Sequence, residues 1–352
     1  MIPPKGPSSQ TPSGPGRHLW PAVLVVAVLF VAFNVWLILR MLTERQNSPN
    51  DSAVNDSPHA AESVSLGDFV DQTTRAWEVV PHGTQICNGV AFVCDGAIRF
   101  GALRAARDNK HYPGAVLDVT VRTRGSRIHL LQSSENSSGA MEGAPYGRIV
   151  LNYTNGETRR FDLLYAVHGR DWMQSQRSPE QPMLDENTTL GWSQLHPRKG
   201  ITIRFYHTTF ANPLPDMEIT SADFISPLHT ANLLLFGFAV DNDSRPLASP
   251  WRPANPELIP PTDIITVVLQ DAAGRPLPRA TLEWTAVALR GQVDFPPMRA
   301  DAQGRVLLEF QQGALRQIRY TARTTGGKTT SGELEPDATG QFASNAVIKL
   351  GP

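Results

Sequence analysis

Four residues in "AVHGRDWM" carry the chemistry to hold a polyhydroxylated ligand: His168, Arg170, Asp171 and Trp172. An indole face stacks on the C–H face of a sugar ring, while guanidinium and carboxylate groups hydrogen-bond to its hydroxyls. Trp192, in "LGWSQL", offers a second platform. The same residue types also fit a structural Arg170–Asp171 pair with Trp172 capping a core. His129 in "RIHLLQ" lies in an apolar strand and reads as a packed, hydrogen-bonded histidine. "RAARDNKHYP", with Arg107, Asp108, Asn109, Lys110 and Tyr112, reads as a solvated loop or a polar rim. No catalytic set accompanies these residues. Gly-x-Ser-x-Gly, His-Glu-x-x-His, P-loop and dinucleotide fingerprints are all absent from the sequence. Asp185 and Glu186 are adjacent, whereas a glycosidase pair must face each other across the scissile bond. "DNDS", 241–244, offers oxygen atoms without the spacing of an EF-hand. Two cysteines cannot complete a structural zinc site. The expectation is a binding site at His168, Arg170, Asp171, Trp172 and Trp192, with no catalytic residue, metal or cofactor.

The elements that must position these residues read as strands. "AVLDVTV", "RIHLLQ", "GRIVLNY", "TRRFDLLY", "GITIRFYHTTF", "MEITSADFI" and "NLLLFGFAV" alternate apolar with polar or are continuously apolar, and turn residues bound them. Asn155-Gly156 predicts a type I′ hairpin, which needs positive φ at both positions. In "RFYHTTFANPLPDMEITSADFIS" a strand meets a turn stiffened by Pro213 and Pro215 and returns as a second strand, predicting a hairpin. Ile201, Ile203, Phe205 and His207 share one face, because the strand period is two. Strands at this spacing imply two packed sheets.

The wider chain divides by composition. Lys+Arg is 32 and Asp+Glu is 33, a net charge of −1 that gives no reason to expect nucleic acid as a partner. Residues 1–18 are rich in Pro, Ser and Gly and read as a disordered tail. Residues 19–39, "LWPAVLVVAVLFVAFNVWLIL", hold no charge. As a helix they span about 30 Å, the thickness of a bilayer core. With no small-x-small cleavage site following, residues 19–41 read as an uncleaved signal anchor in membrane lipid. The flanking positive charges tie, and the economical orientation puts the C-terminal part outside the cytoplasm. Residues 42–66 form a polar linker. Residues 245–261, with six prolines, form a second linker, a polyproline-type strut. Domains at 67–244 and 262–352 result. Cys87 and Cys94 allow either a disulfide or two buried thiols.

"TQICNGVAFVCDGAIRFG", "YPGAVLDVTVRTRGSRIHLLQSS", "GRIVLNYTNGETRRFDLLYAVHGRDW" and "IRFYHTTFANPLPDMEITSADFISPLHTANLLLFGFAVD" occur in this order. Together they resemble a β-sandwich module of bacterial envelope proteins, of the galactose-binding-like, carbohydrate-binding (NPCBM-like) jelly-roll kind. "DAAGRPLPRATLEW", "ADAQGRVLLEF" and "YTART" resemble the carboxypeptidase regulatory-like, Ig-like module, a spacer or interaction domain without an active site. These resemblances imply an all-β ectodomain, a jelly-roll β-sandwich plus a smaller Ig-like β-sandwich, behind one N-terminal transmembrane helix. The implied function is a membrane-anchored, non-enzymatic envelope binding protein with glycan as candidate ligand. The alternatives are a structural subunit that docks other envelope proteins and, third, a hydrolase.

Overall fold

A computed structural model describes residues 61–178, 181–197 and 199–351. The expected anchor at 19–41 lies outside them. Among the described residues no helix is long and apolar enough to cross a membrane.

The regular structure of the described residues is almost wholly strand, with strands numbered here along the sequence. One sheet runs in the order β1 (Glu62–Val64), β13 (Asn232–Asp241), β6 (Arg127–Glu135), β11 (Ile201–Ala211) and β10 (Thr188–His196). The short strands β4 (Ile98–Arg99) and β9 (Met173–Ser175) pair with β13 and β11. The facing sheet runs β5 (Ala115–Thr123), β12 (Ile219–Ile225), β7 (Pro145–Tyr153) and β8 (Thr158–Leu164). Alternate residues of both sheets, among them Ile128, Leu130, Leu233, Phe238, Ile149, Leu151 and Phe224, meet in the core between them. β13 and β6 are buried along their whole length. The opposite face of the first sheet, with Leu131, Phe205, Leu234 and Phe236, is covered by the hairpin β2 (Gly83–Cys87) and β3 (Val90–Cys94). That double burial explains the unbroken apolar run in "NLLLFGFAV", since a strand covered on both faces has no polar side to present.

Two expectations change. β11 and β12 are not a hairpin, because β11 pairs with β10, β6 and β9 whereas β12 pairs with β5 and β7. The proline turn is an arch that carries the chain from one sheet to the other. Asn212 holds its corner, with Oδ1 accepting from Tyr153 Oη (2.6 Å) and Leu214 N, and Nδ2 donating to Gly125 O (2.7 Å). The β7–β8 hairpin does form, but of Asn155 and Gly156 only Gly156 has positive φ, 81°. Gly156 N donates to Tyr153 O and Tyr153 N donates to Glu157 O, so the loop has three residues, one more than a type I′ turn, with Gly156 as the bulge. Cys87 and Cys94 are free, buried thiols. Cys87 stands opposite Val90 and Cys94 opposite Gly83, which sets them at different rungs of the hairpin.

Beyond residue 261, three strands, β17 (Arg305–Gln311), β14 (Thr262–Asp271) and β20 (Asn345–Leu350), face four, β16 (Gln292–Arg299), β15 (Thr281–Ala288), β18 (Leu315–Arg323) and β19 (Thr329–Leu334). Their core includes Val267, Leu282, Trp284, Phe295 and Phe310, and it also takes in Ala106, Ala115 and Leu228 from the first sandwich. The short helix Leu103–Arg107, which takes in the first four residues of the expected loop "RAARDNKHYP", sits at this junction. Gly291, at φ 82°, passes so close to Ala106 that a Cβ would lie 2.0 Å from its carbonyl oxygen. Gly114 N donates to Asp294 O (2.7 Å). Glu309 is shared by Arg148 Nη1 (2.6 Å) and Arg160 Nη1 (2.7 Å) across the same junction.

Candidate functional site

The five residues expected to form a site do not converge. Trp172 is half-buried and stacks on Trp77 (ring centroids 4.8 Å) and on Phe205 (6.5 Å). Trp192 also packs on Phe205, at 5.6 Å. The two indoles therefore share one internal aromatic cluster, and protein rings occupy the surfaces a sugar would need. Asp171 is not paired with Arg170. Its Oδ2 accepts from Ser137 Oγ (2.7 Å) and its Oδ1 from Met173 N (3.0 Å). Arg170 Nη2 donates to Pro182 O instead. Trp172 borders a hollow of about 320 Å³ with Trp77, Met173 and Ile201.

His168 lies elsewhere, in the wall of a larger cavity of about 730 Å³. One side of this cavity is the end of the first sandwich, with Phe161 from β8 and Thr209 and Phe210 from β11. The other is residues 243–251, the start of the expected strut. That segment is fastened along the sandwich. Arg127, from buried β6, meets Asp243 Oδ2 at 2.8 Å and donates to the Arg245 carbonyl. Asn187 works as a backbone would, donating to Ala248 O (3.0 Å) and accepting from Ala248 N (2.9 Å). Trp251 and Ile259 lie against Gly143.

The cavity's charges are settled among themselves. His168 Nδ1 accepts from Leu164 N (3.0 Å), so its proton is on Nε2, 3.2 Å from Asp185 Oδ2. Burial pushes the Asp185 carboxyl up, but bonds from His168 and Asn187 outweigh it and hold the group below the usual carboxylate range. Burial likewise pushes the Asp162 carboxyl up, and Arg148 and Arg160 outweigh it and hold the group low. Bonds from Arg245, helped by Arg127, hold Asp243 at about 2. Asp243 is thus spent on Arg127 and Arg245 and Asp241 on His129, and among the described residues no group of His, Cys, Asp and Glu could hold a metal ion. What remains open to a ligand is aromatic surface, from Phe161, Phe210 and Trp251, between neutralised polar groups. Sequence reading missed these three, because they come from two strands and a linker far apart in the chain.

No protein-family model and no curated protein matches the chain. Among solved structures it is similar to a 3-chlorocatechol 1,2-dioxygenase from Rhodococcus opacus, at 13% identity and TM-score 0.20, over 26% of this chain and 59% of that one. It is also similar to a pilus 2b backbone protein of group B streptococcus, at 8% identity and TM-score 0.22, over 78% and 96%. A third is the abundant perithecial protein of Neurospora crassa, at 13% identity and TM-score 0.19, over 58% and 94%. The chain spans less than two thirds of the dioxygenase's length. Similarity this slight carries no argument about function.

Proposed function

We propose that the chain is a membrane-anchored, non-enzymatic binding protein of a bacterial envelope that takes a neutral glycan in the cavity beneath residues 243–251. The cavity carries this reading. Its volume of about 730 Å³ suits a few sugar rings. Half-buried Phe161, Phe210 and Trp251 offer stacking faces, and each charged group in the wall already has a partner, leaving no surplus charge to select an ionic ligand. The uncharged run at 19–39 supports the anchor, and the jelly-roll resemblance supports a sugar. A hydrolase is the poorer fit. Asp162 and Asp185 are both held ionised, so neither serves as the protonated acid that glycoside cleavage needs at neutral pH.

The test is a glycan array probed with the full-length chain in detergent, followed by titration of any hit. Trp251→Ala should weaken binding by about tenfold or more, equivalent to about 1.4 kcal/mol, while Trp172→Ala should leave it unchanged. Silence across the array, or equal loss in both variants, overturns the reading.

One observation favours a second role as a subunit that docks proteins. Ile264, Leu307 and Val347 are about half exposed on the outward face of β14, β17 and β20. Crosslinking in membranes followed by mass spectrometry separates the two. Reproducible protein neighbours through this face, without sugar binding, favour docking.

A further inference from the structure

Three arginines are buried in the described structure: Arg127, Arg148 and Arg204. Two are doubly compensated, Arg127 by Asp243 and the Arg245 carbonyl, and Arg148 by Asp162 and Glu309. Arg204 is 6% exposed, and its Nε is sealed from water with no acceptor. Its guanidinium lies 5.7 Å from the centre of the Tyr206 ring, and among the described residues no carboxylate pairs with it. A buried cation without a carboxylate partner is costly, and an anion reaching the guanidinium would offset that cost.

The surroundings repeat the imbalance. Where β6 and β11 part to admit residues 170–175, Ser134 N donates to Arg170 O, Trp172 N to Ser134 O, and Arg204 N to Trp172 O. On these adjoining rungs Ser134 Oγ, Arg170 Nε and Arg204 Nε are sealed without a partner; Trp172 stacks on Phe205 and so lies on the opposite face of β11 from Arg204. Each of these three is able to donate, and two of them are guanidinium nitrogens that can only donate. The nearby carboxylate, Asp171, spends both oxygens on Ser137 and Met173. Among the described residues no carboxylate oxygen is left there to pair with Arg204.

Access lies along the sheet edge. On β10, Ser193 stands directly opposite Arg204, and Leu190 and Leu195 stand opposite Tyr206 and Thr202 on the same face. Leu190 and Leu195 are 39% and 51% exposed, so that side of the edge strand is open beside the guanidinium. We infer that Arg204 is the anchor of an oxyanion-binding site, taking a carboxylate, sulfate or phosphate group that enters over the edge strand. The site is separate from the glycan cavity and stands or falls apart from it.

The test is thermal unfolding of the full-length chain with inorganic phosphate, sulfate or acetate against chloride at equal ionic strength. At least one oxyanion should raise the melting temperature progressively with concentration, as a ligand of the native state does. Preference for the tetrahedral ions over acetate points to a phosphate or sulfate ester, and the reverse to a carboxylate. Arg204→Met should abolish the response and unfold in chloride no earlier than the parent. Arg127→Met, which breaks a paired arginine, should unfold much earlier. Trp251→Ala should keep the oxyanion response whatever it does to sugar binding. Absence of any response overturns the site, as does an equal response in Arg204→Met. Loss of stability in Arg204→Met as large as in Arg127→Met overturns it too, because Arg204 would then be paired within the chain.

Discussion

His129 stands in the middle of a line of polar side chains beneath the β2–β3 hairpin. Burial alone would raise the Asp241 carboxyl, but His129 and the Asp243 amide keep it low and ionised. His129 Nε2 is 3.1 Å from Asp241 Oδ2, off the axis of an ideal hydrogen bond, and faces it with its proton. His129 Nδ1 then accepts, at 3.0 Å from His207 Nε2, and His207 Nδ1 accepts from Asn88 Nδ2 at 3.3 Å. One proton arrangement satisfies the line with both imidazoles neutral. Burial, reinforced by the neighbouring His129, drives His207 from 6.5 to about 3. Burial, with Arg148, drives His229 from 6.5 to about 4. Below about pH 6.5 the unfolded chain takes up protons that these native histidines refuse, so stability falls as pH drops toward 4. The urea midpoint should therefore decline between pH 7 and pH 4, by on the order of a few kcal/mol in unfolding free energy. His207→Gln should flatten that decline; an unchanged slope contradicts the neutral pair. The cysteines make a second residue-scale prediction. Burial pushes the Cys87 thiol to about 11 and the Cys94 thiol to about 12, leaving almost no thiolate at neutral pH. Alkylation by iodoacetamide should be slow in the native protein and fast in urea.

At the scale of elements, the β2–β3 hairpin depends on one aromatic residue. Phe92 is fully buried and lies over Gly237, where a Cβ would come within 2.7 Å of its ring. The register slip in β13 between Leu235 and Gly237 makes room for it. Phe92→Ala should cost about 3–5 kcal/mol, with hydrogen exchange rising first in residues 83–94. Legibility differed among elements for physical reasons. The seven segments read as strands in the first sandwich all form, because alternation and continuous apolar runs report burial directly. β10 went unread, since an edge strand with "TTLGWSQLH" has little apolar periodicity to show. The arch at Asn212 looked like a hairpin because proline and the neighbouring Asn mark a reversal of chain but not which sheet receives it. The cavity was least legible. His168 was singled out, but Trp251 sat in a proline run read as a strut, and only the Asn187–Ala248 bonds lay that run against the sandwich. Asn187→Ala removes the two bonds to Ala248 and a third to Asp185 Oδ1, worth about 0.5–1.5 kcal/mol each. Faster amide exchange at Ala248 would check that the run is held there.

At the scale of the molecule, the two sandwiches are joined by more than a linker. Ala106, Ala115 and Leu228 complete the second core, and the ring of Phe295 lies over Gly114. Gly291→Ala should be severe, because it places a methyl against the Ala106 carbonyl at a backbone angle that L-residues rarely adopt. A loss of more than about 2 kcal/mol is expected, together with splitting of one calorimetric transition into two. A single transition at the parent temperature would show that the junction is slack.

The shared core has a consequence for how such a chain is inherited and re-used. Beads on a string are shuffled by cutting the string, but here the cut would strip three aliphatic residues from the second bead's core and uncover an aromatic ring on that same bead. Any recombinant graft of the C-terminal half onto a foreign scaffold must bring a surrogate for the Leu103–Arg107 turn, or it will arrive with a hole in its side.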